Sequence, residues 1–192
     1  MKNLGYFLVV IVTAFACSSD DGGTPPPQPV DFLAAINSGG PDISLSGTDW
    51  VADKDNNASN TFSSADPDLE IAGTDDDELY RTEINDPNAF TYEIAVPAEG
   101  PWKVDLHFAE IFFGVGANTA GEGARVFDVD IENGAATLVD YDIIMKAGAP
   151  ATAIVESFSG IMVTDGNLTI TFTATTDRPK VSAVEVSGSY IP

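Results

Sequence analysis

WKVDLHFAEIFFGVGANTAGEGARVFDVDI, residues 102–131, reads as two strands of alternating polarity joined by a glycine-rich loop. Trp102, Val104, Leu106 and Phe108 fall on one side of a period-two pattern, and Lys103, Asp105 and His107 on the other, as a strand with one buried face requires. Phe127, Val129 and Ile131 repeat the pattern opposite Asp128 and Asp130. Between the strands, Phe112 and Phe113 stand side by side just before Gly114, Gly116, Gly121 and Gly123. A loop of that composition cannot bury both rings in a strand core, so at least one is expected at a cleft or in solvent.

The rest of the chain extends the same pattern. Phe32 to Ile36 is an apolar run ending at the turn Asn37-Ser38-Gly39-Gly40-Pro41, and Phe90 to Val96 alternates and stops at Pro97. Asn133-Gly134 marks a tight hairpin between Asp128–Glu132 and a strand near Thr137–Ile143. Leu168, Ile170 and Phe172 alternate with threonines, and Val181 to Val186 is a last β-rich segment. Residues 42–79, rich in Asp, Asn, Ser and Gly, read as long loops around Trp50, Phe62 and Leu69. No stretch keeps a helical period over three turns. The expected class is all-β, with two packed antiparallel sheets rather than a closed barrel.

Composition narrows the function. The chain has 192 residues, enough for one well-packed domain, and 30 Asp plus Glu against 8 Lys plus Arg give a net charge of −22. Charge-driven binding to nucleic acid or to an anionic membrane surface is therefore excluded. One cysteine rules out a disulfide framework and a multi-cysteine zinc site. That residue, Cys17, follows Lys2, the apolar run Leu4–Phe15 and the small residues Ala14 and Ala16. Residues 1–16 are read as a secretory signal, and Ala14-Phe15-Ala16-Cys17 resembles a bacterial lipobox, whose cysteine is acylated after cleavage. Ser18-Ser19-Asp20-Asp21-Gly22-Gly23 resembles the acidic run that sends some outer-membrane lipoproteins to the cell surface. Residues 17–30, with Pro25, Pro26, Pro27 and Pro29, are expected to be a solvated tether, and residues 31–192 the folded domain.

INSGG at 36–40, ELYRTE at 78–83, FTYEIAVPAEGPWKVDLHFAEIFF at 90–113, RVFDVDIENG at 125–134 and DRPKVSAVEV at 177–186 resemble, in order and spacing, a malectin or malectin-like domain. The resemblance implies a jelly-roll-like β-sandwich whose loops at one end hold a glycan. It also implies ligand positions: the aromatic pair after FAE is Phe112 and Phe113 here, the first being tyrosine in malectin, and the aspartate before Pro-Lys-Val is Asp177. A second ligand tyrosine of the family is replaced by Asn85, and a third falls in weakly matching loops near Phe62. Two tyrosine hydroxyls are thus lost, and the loop Gly114–Ala124 is longer than malectin's. Malectin's disaccharide preference does not carry over.

The chemistry agrees with a sugar site. A pyranose offers apolar C–H faces to flat rings and a rim of hydroxyls to carboxylates or amides. Phe112 and Phe113 supply the platform or pack in the core. Asp177 accepts two hydroxyl bonds or caps its own backbone in a turn, and Tyr80 supplies packing or a phenolic bond. His107, the only histidine, is expected to pack under a loop, without a second ligand for zinc or a triad. Glu110 shares the inward parity, so a partner, Arg81 or Arg125, or backbone N–H groups must satisfy it. Asp53-Lys54-Asp55-Asn56-Asn57 alternates oxygens like a calcium loop but lacks the sixth-position glycine and the twelfth-position glutamate, and is read as a solvated loop. No nucleophile elbow, metalloprotease or phosphate-loop motif is present. The expectation is a non-catalytic, surface-displayed outer-membrane lipoprotein that binds an oligosaccharide or polysaccharide, needs no cofactor or metal, and works beside glycan-processing proteins. A cell-surface adhesion or protein-recognition module is the alternative, and a glycoside hydrolase the third.

Overall fold

The alternation at 102–108 builds the strand Gly100–Phe108, which pairs antiparallel with Ile154–Val163 on one side and Ala183–Tyr190 on the other. The computed structural model describes residues 25–53 and 56–192. In chain order the elements are β1 (Val30–Asn37), β2 (Ile43–Leu45), β3 (Thr48–Ala52), β4 (Asn60–Ser63), α1 (Asp77–Tyr80), β5 (Thr82–Asn85), β6 (Ala89–Ala95), β7 (Gly100–Phe108), β8 (Val126–Ile131), β9 (Ala136–Tyr141), α2 (Ile143–Ala147), β10 (Ile154–Val163), β11 (Asn167–Thr176), β12 (Lys180–Val181) and β13 (Ala183–Tyr190). The signal segment, Cys17 and the acidic run lie outside the described residues. Pro25–Pro29 are exposed and carry no regular structure before β1 begins.

Six strands form one sheet in the order β10-β7-β13-β1-β3-β2, and four form another, β6-β11-β8-β9. Every pairing is antiparallel except that of β1 with β3, which is parallel. The two sheets enclose Trp102, Val104, Leu106 and Phe108 of β7 against Phe127, Val129 and Ile131 of β8 and Leu168, Ile170 and Phe172 of β11. Phe90 and Phe172, opposite each other in register, stack at 4.5 Å. Each such buried side chain contributes roughly 1.5–3 kcal/mol, so this inner face drives the sandwich.

The loops expected over 42–79 are instead punctuated by β2, β3, β4 and α1. Their Asn, Asp and Gly residues make the turns between short elements rather than excluding them. The reason they fold is a second cluster, Trp50, Ile71, Leu79 and Tyr80 with Ala35, Ala109, Ile111 and Ala183, which covers the other face of the six-stranded sheet near the end of β7. That face is therefore not solvent, contrary to the one-sided reading of β7. β5 pairs with β12 on one side and β4 on the other in a small third sheet. The Ser38-Gly39 turn packs on it so tightly that a Cβ at Gly39, where φ is +76°, would lie 2.4 Å from Glu83 O.

The hairpin at Asn133-Gly134 forms, but as a four-residue loop, with φ of 50°, 51° and 91° at Glu132, Asn133 and Gly134. β9 ends at Tyr141 rather than continuing to Ile143, because Asp142 caps α2 by accepting from Met145 N at 3.1 Å. This topology gathers three segments at one end of the sandwich: the turn after β7, the start of β8, and the loop from β11 to β12.

Candidate functional site

At that end, Glu110 organises the turn that follows β7. Its side chain is 1% exposed; Oε1 accepts the backbone N–H of Phe112 at 2.9 Å and of Phe113 at 3.1 Å, and Oε2 accepts Arg125 Nε at 2.7 Å. Arg81, the other candidate partner, pairs with Asp77 at 3.3 Å. Burial pushes the Glu110 carboxyl up, but Lys180, Arg125 and the N–H donors outweigh it and hold the group below its ordinary range. Arg125, in turn, is disfavoured by burial yet kept firmly charged by Glu110 and Glu83.

With Glu110 holding both amides, the two rings project from the end of the sandwich. Phe112 is 43% exposed. Its ring meets Phe113 edge-on at 5.0 Å and Phe62 edge-on at 5.6 Å, so three phenylalanines form a row. Phe113 is half-buried, with the Arg125 guanidinium 5.2 Å from its ring centre. The loop that follows is fixed beside them. Gly123 N donates to Asp142 Oδ2 at 2.5 Å, and a Cβ at Gly114 would meet Pro150 Cγ at 2.8 Å.

Arg125 also carries the row across to the β11–β12 loop. Its Nη1 donates to Arg178 O at 2.6 Å and lies 3.3 Å from Asp177 Oδ2. The Asp177 carboxylate is thus directed at Arg125, and its side chain is 37% exposed. Asp177 has φ +58°, a left-handed conformation uncommon outside glycine, held in place by the Arg125 bond to the next carbonyl.

Tyr80 and Asn85 do not join this surface. Tyr80 is 4% exposed, and its hydroxyl is bonded to His107 Nδ1 at 2.9 Å, so of its two possible roles it takes packing. Burial, with help from Asp76, pushes its pKa up to about 12. Asn85, 6% exposed, lies in the polar layer underneath: its Nδ2 donates to Glu83 Oε1 at 3.3 Å and its Oδ1 accepts Arg178 Nη1 at 3.1 Å. Tyr80, on α1, and Asn85, on β5, are thus buried and bonded within the protein, apart from the exposed row. Beneath Asn85, the buried Lys180 ammonium bonds Glu83 Oε2 and Ala109 O.

His107 packs between Trp50, whose ring stands edge-on at 5.2 Å, and Tyr80, and burial lowers its pKa to about 4. In the Asp53–Asn57 loop, Asp53 accepts the Tyr92 hydroxyl at 2.5 Å, Asn56 accepts Ala58 N at 2.7 Å and Asn57 accepts Thr91 N at 2.7 Å. Those oxygens tie the loop to itself and to β6. Lys54 and Asp55 lie outside the described residues.

Beyond Asp177 opens a depression of about 540 Å³ lined by Pro87, Asn88, Ala174, Thr175, Asp177 and Arg178. The sequence offers Arg125 only as a partner for Glu110 and does not single out Arg178 or the Pro87-Asn88 turn. Their signals were present but weak: Arg125 closes the glycine-rich loop, Arg178 adjoins Asp177, and Asp86-Pro87-Asn88 is turn chemistry. Together the parts make an exposed aromatic strip bordered by an anchored carboxylate and a polar hollow, suited to a flat ligand with apolar faces and a hydroxylated rim.

The Malectin domain family model matches residues 32–189. A probable leucine-rich repeat receptor-like serine/threonine-protein kinase of Arabidopsis thaliana is 30% identical over 152 residues, 73% of this chain and 15% of that protein. Malectin-B of Xenopus laevis is 29% identical over 116 residues, 60% of this chain and 39% of that protein. The chain thus spans well under two thirds of these relatives. The ANXUR1 extracellular domain of Arabidopsis thaliana superposes with a TM-score of 0.69 at 16% identity, covering 84% of this chain and 49% of that one, and so shares the fold. With the family match running from β1 to β13 and carrying the Glu110 turn, Arg125 and Asp177 inside it, the chain belongs to the Malectin domain family.

Proposed function

We propose that the protein is a non-catalytic carbohydrate-binding module, tethered through Cys17 as a lipoprotein and displayed at the bacterial cell surface. The observation that carries the binding reading is the row Phe62, Phe112 and Phe113, with Phe112 43% exposed and the row bordered by the half-exposed Asp177 carboxylate. Phe112 is held at the surface by two backbone bonds to a buried glutamate, and its contacts with Phe62 and Phe113 make it part of a contiguous apolar patch rather than a lone exposed ring. A pyranose face fits the ring, and Asp177 accepts rim hydroxyls with the oxygen not occupied by Arg125. Glu110 is sealed, with both oxygens engaged, so it serves as a structural anchor and not as a general acid or nucleophile. That supports binding over hydrolysis.

Anchoring rests on the sequence features at 1–23 alone: a short apolar signal, a lipobox-like Ala14-Phe15-Ala16-Cys17 and an acidic run. A glycan array probed with the soluble fragment from Val30 to Pro192 tests the binding reading. Binding to one glycan class is the expected result; uniform failure alongside successful capture of a defined protein ligand would favour the protein-recognition alternative.

A further inference from the structure

The chain has three arginines among 30 acidic residues. Arg81 pairs with Asp77, and Arg125 with Glu110 and Asp177. Arg178 is different. Its Nη1 donates to the neutral Asn85 Oδ1 at 3.1 Å, and among the described residues no carboxylate lies at salt-bridge distance from it. It lines the depression of about 540 Å³, a size within the roughly 300–1,000 Å³ usual for small-molecule sites.

In a chain of net charge −22, a half-buried arginine that lines a hollow and pairs with no carboxylate, although Asp177 lines the same hollow, needs a reason. The acidic groups nearest the hollow are already engaged. Asp177 lies against Arg125 at 3.3 Å, and Asp86, beside Pro87, accepts N–H bonds from Ser59, Asn88 and Ala89 at 3.1, 2.9 and 3.2 Å as well as the Ser59 hydroxyl. Asp177 borders both the hollow and, through Arg125, the phenylalanine row. Phe112 reaches the hollow through Phe113, Arg125 and Asp177, so a glycan chain of several units that stacks on Phe112 can run on toward it.

We propose that the hollow is a subsite for an acidic sugar, in which Arg178 receives an oxyanion, carboxylate or sulfate ester, from another unit of the glycan chain stacked on Phe112. This rests on the carbohydrate-binding reading and names the ligand class. A guanidinium presents parallel N–H donors that match such an oxyanion at two points, whereas neutral hydroxyls engage them singly. Asn85, buried against Glu83, keeps the guanidinium in position.

The test titrates the Val30–Pro192 fragment with oligogalacturonate, oligoguluronate and glucuronoxylan oligosaccharides, each beside its carboxyl-reduced form, and with a sulfated and a desulfated galactan oligosaccharide. At least one acidic oligomer should bind ten-fold or more tightly than its neutral counterpart. The uronate and galactan arms tell carboxylate from sulfate. Arg178→Gln should bring the ratio of acidic to neutral affinity close to one; Arg178→Lys should retain part of that ratio. If Arg178→Gln melts early, the unmodified fragment still decides: the acidic preference should shrink between low and high salt while neutral binding holds. Equal binding of acidic and neutral members, or a preference that survives Arg178→Gln, overturns the subsite. Phe112-dependent binding of neutral glycans in that case leaves the sugar platform standing, and no binding by any member overturns both.

Discussion

Arg125 Nε meets Glu110 Oε2 at 2.7 Å with both side chains at most 5% exposed, and this one ion pair joins the turn that carries Phe112 and Phe113 to the loop that carries Asp177. Removing one partner of a buried pair leaves the other uncompensated, at a cost of about 3–5 kcal/mol. Glu110→Ala should therefore lower the unfolding free energy by that order in a denaturant titration. Glu110→Gln, which keeps an oxygen for the two amides, should lose less. A raised melting temperature in Glu110→Ala would contradict the role assigned to this carboxylate.

Phe112 and Phe108 separate platform from core. Phe108 is fully buried, and Phe108→Ala should cost about 3–5 kcal/mol through lost burial and a cavity. Phe112→Ala, at a site open to solvent, should cost less than about 1 kcal/mol. Parallel thermal melts of the two variants without ligand check the difference.

His107 makes stability depend on pH. Its folded pKa of about 4 lies below the ordinary 6.5, because burial disfavours the charged ring. The unfolded chain thus binds the proton more readily, so the contribution is intact above 6.5 and is lost as pH falls toward 4. Between pH 7.5 and 5 this amounts to about 2 kcal/mol. His107→Gln should flatten the fall in stability over that window relative to the unmodified domain, read by denaturant titration at each pH. An unchanged slope would mean that the ring takes up its proton at the same pH in the folded and the unfolded chain.

Anchoring can be tested on the full chain. Cys17→Ser should leave an unacylated precursor that no longer partitions into detergent, seen by phase separation and by mass. Replacement of Asp20 and Asp21 by Lys should reduce protease accessibility on intact cells; unchanged accessibility would make the acidic run a linker only.

What the sequence made legible follows from what alternation reports. Trp102, Val104, Leu106 and Phe108 were readable as an inner face because β7 packs on the opposite sheet along its whole length. The glycine-rich run after Phe113 pointed to an exposed ring for the same local reason, and the inward parity of Glu110 demanded a partner. Tyr80 was harder, since its burial depends on α1 and β3 closing over the second face of β7, which a one-sided pattern does not reveal. Helix α2 is a five-residue element, too short to show a period, marked locally by the Asp142 cap and Gly148 at its end. Arg125 and Arg178 belong to the site through a contact across 53 residues of sequence, created only when β8 and the β11–β12 loop meet. No local spacing carries that information.

The most direct measurement is the affinity of the Val30–Pro192 fragment for its best array glycan, by calorimetric titration, beside Phe112→Ala and Asp177→Asn. A stacking ring should contribute roughly 1–2 kcal/mol, so Phe112→Ala should weaken binding about ten-fold with its melting temperature nearly unchanged. Asp177→Asn should weaken binding while keeping the fold, since it removes charge but not all hydrogen bonding. If both variants bind as tightly as the unmodified fragment, the phenylalanine row is not the glycan surface and the binding site lies elsewhere on the sandwich.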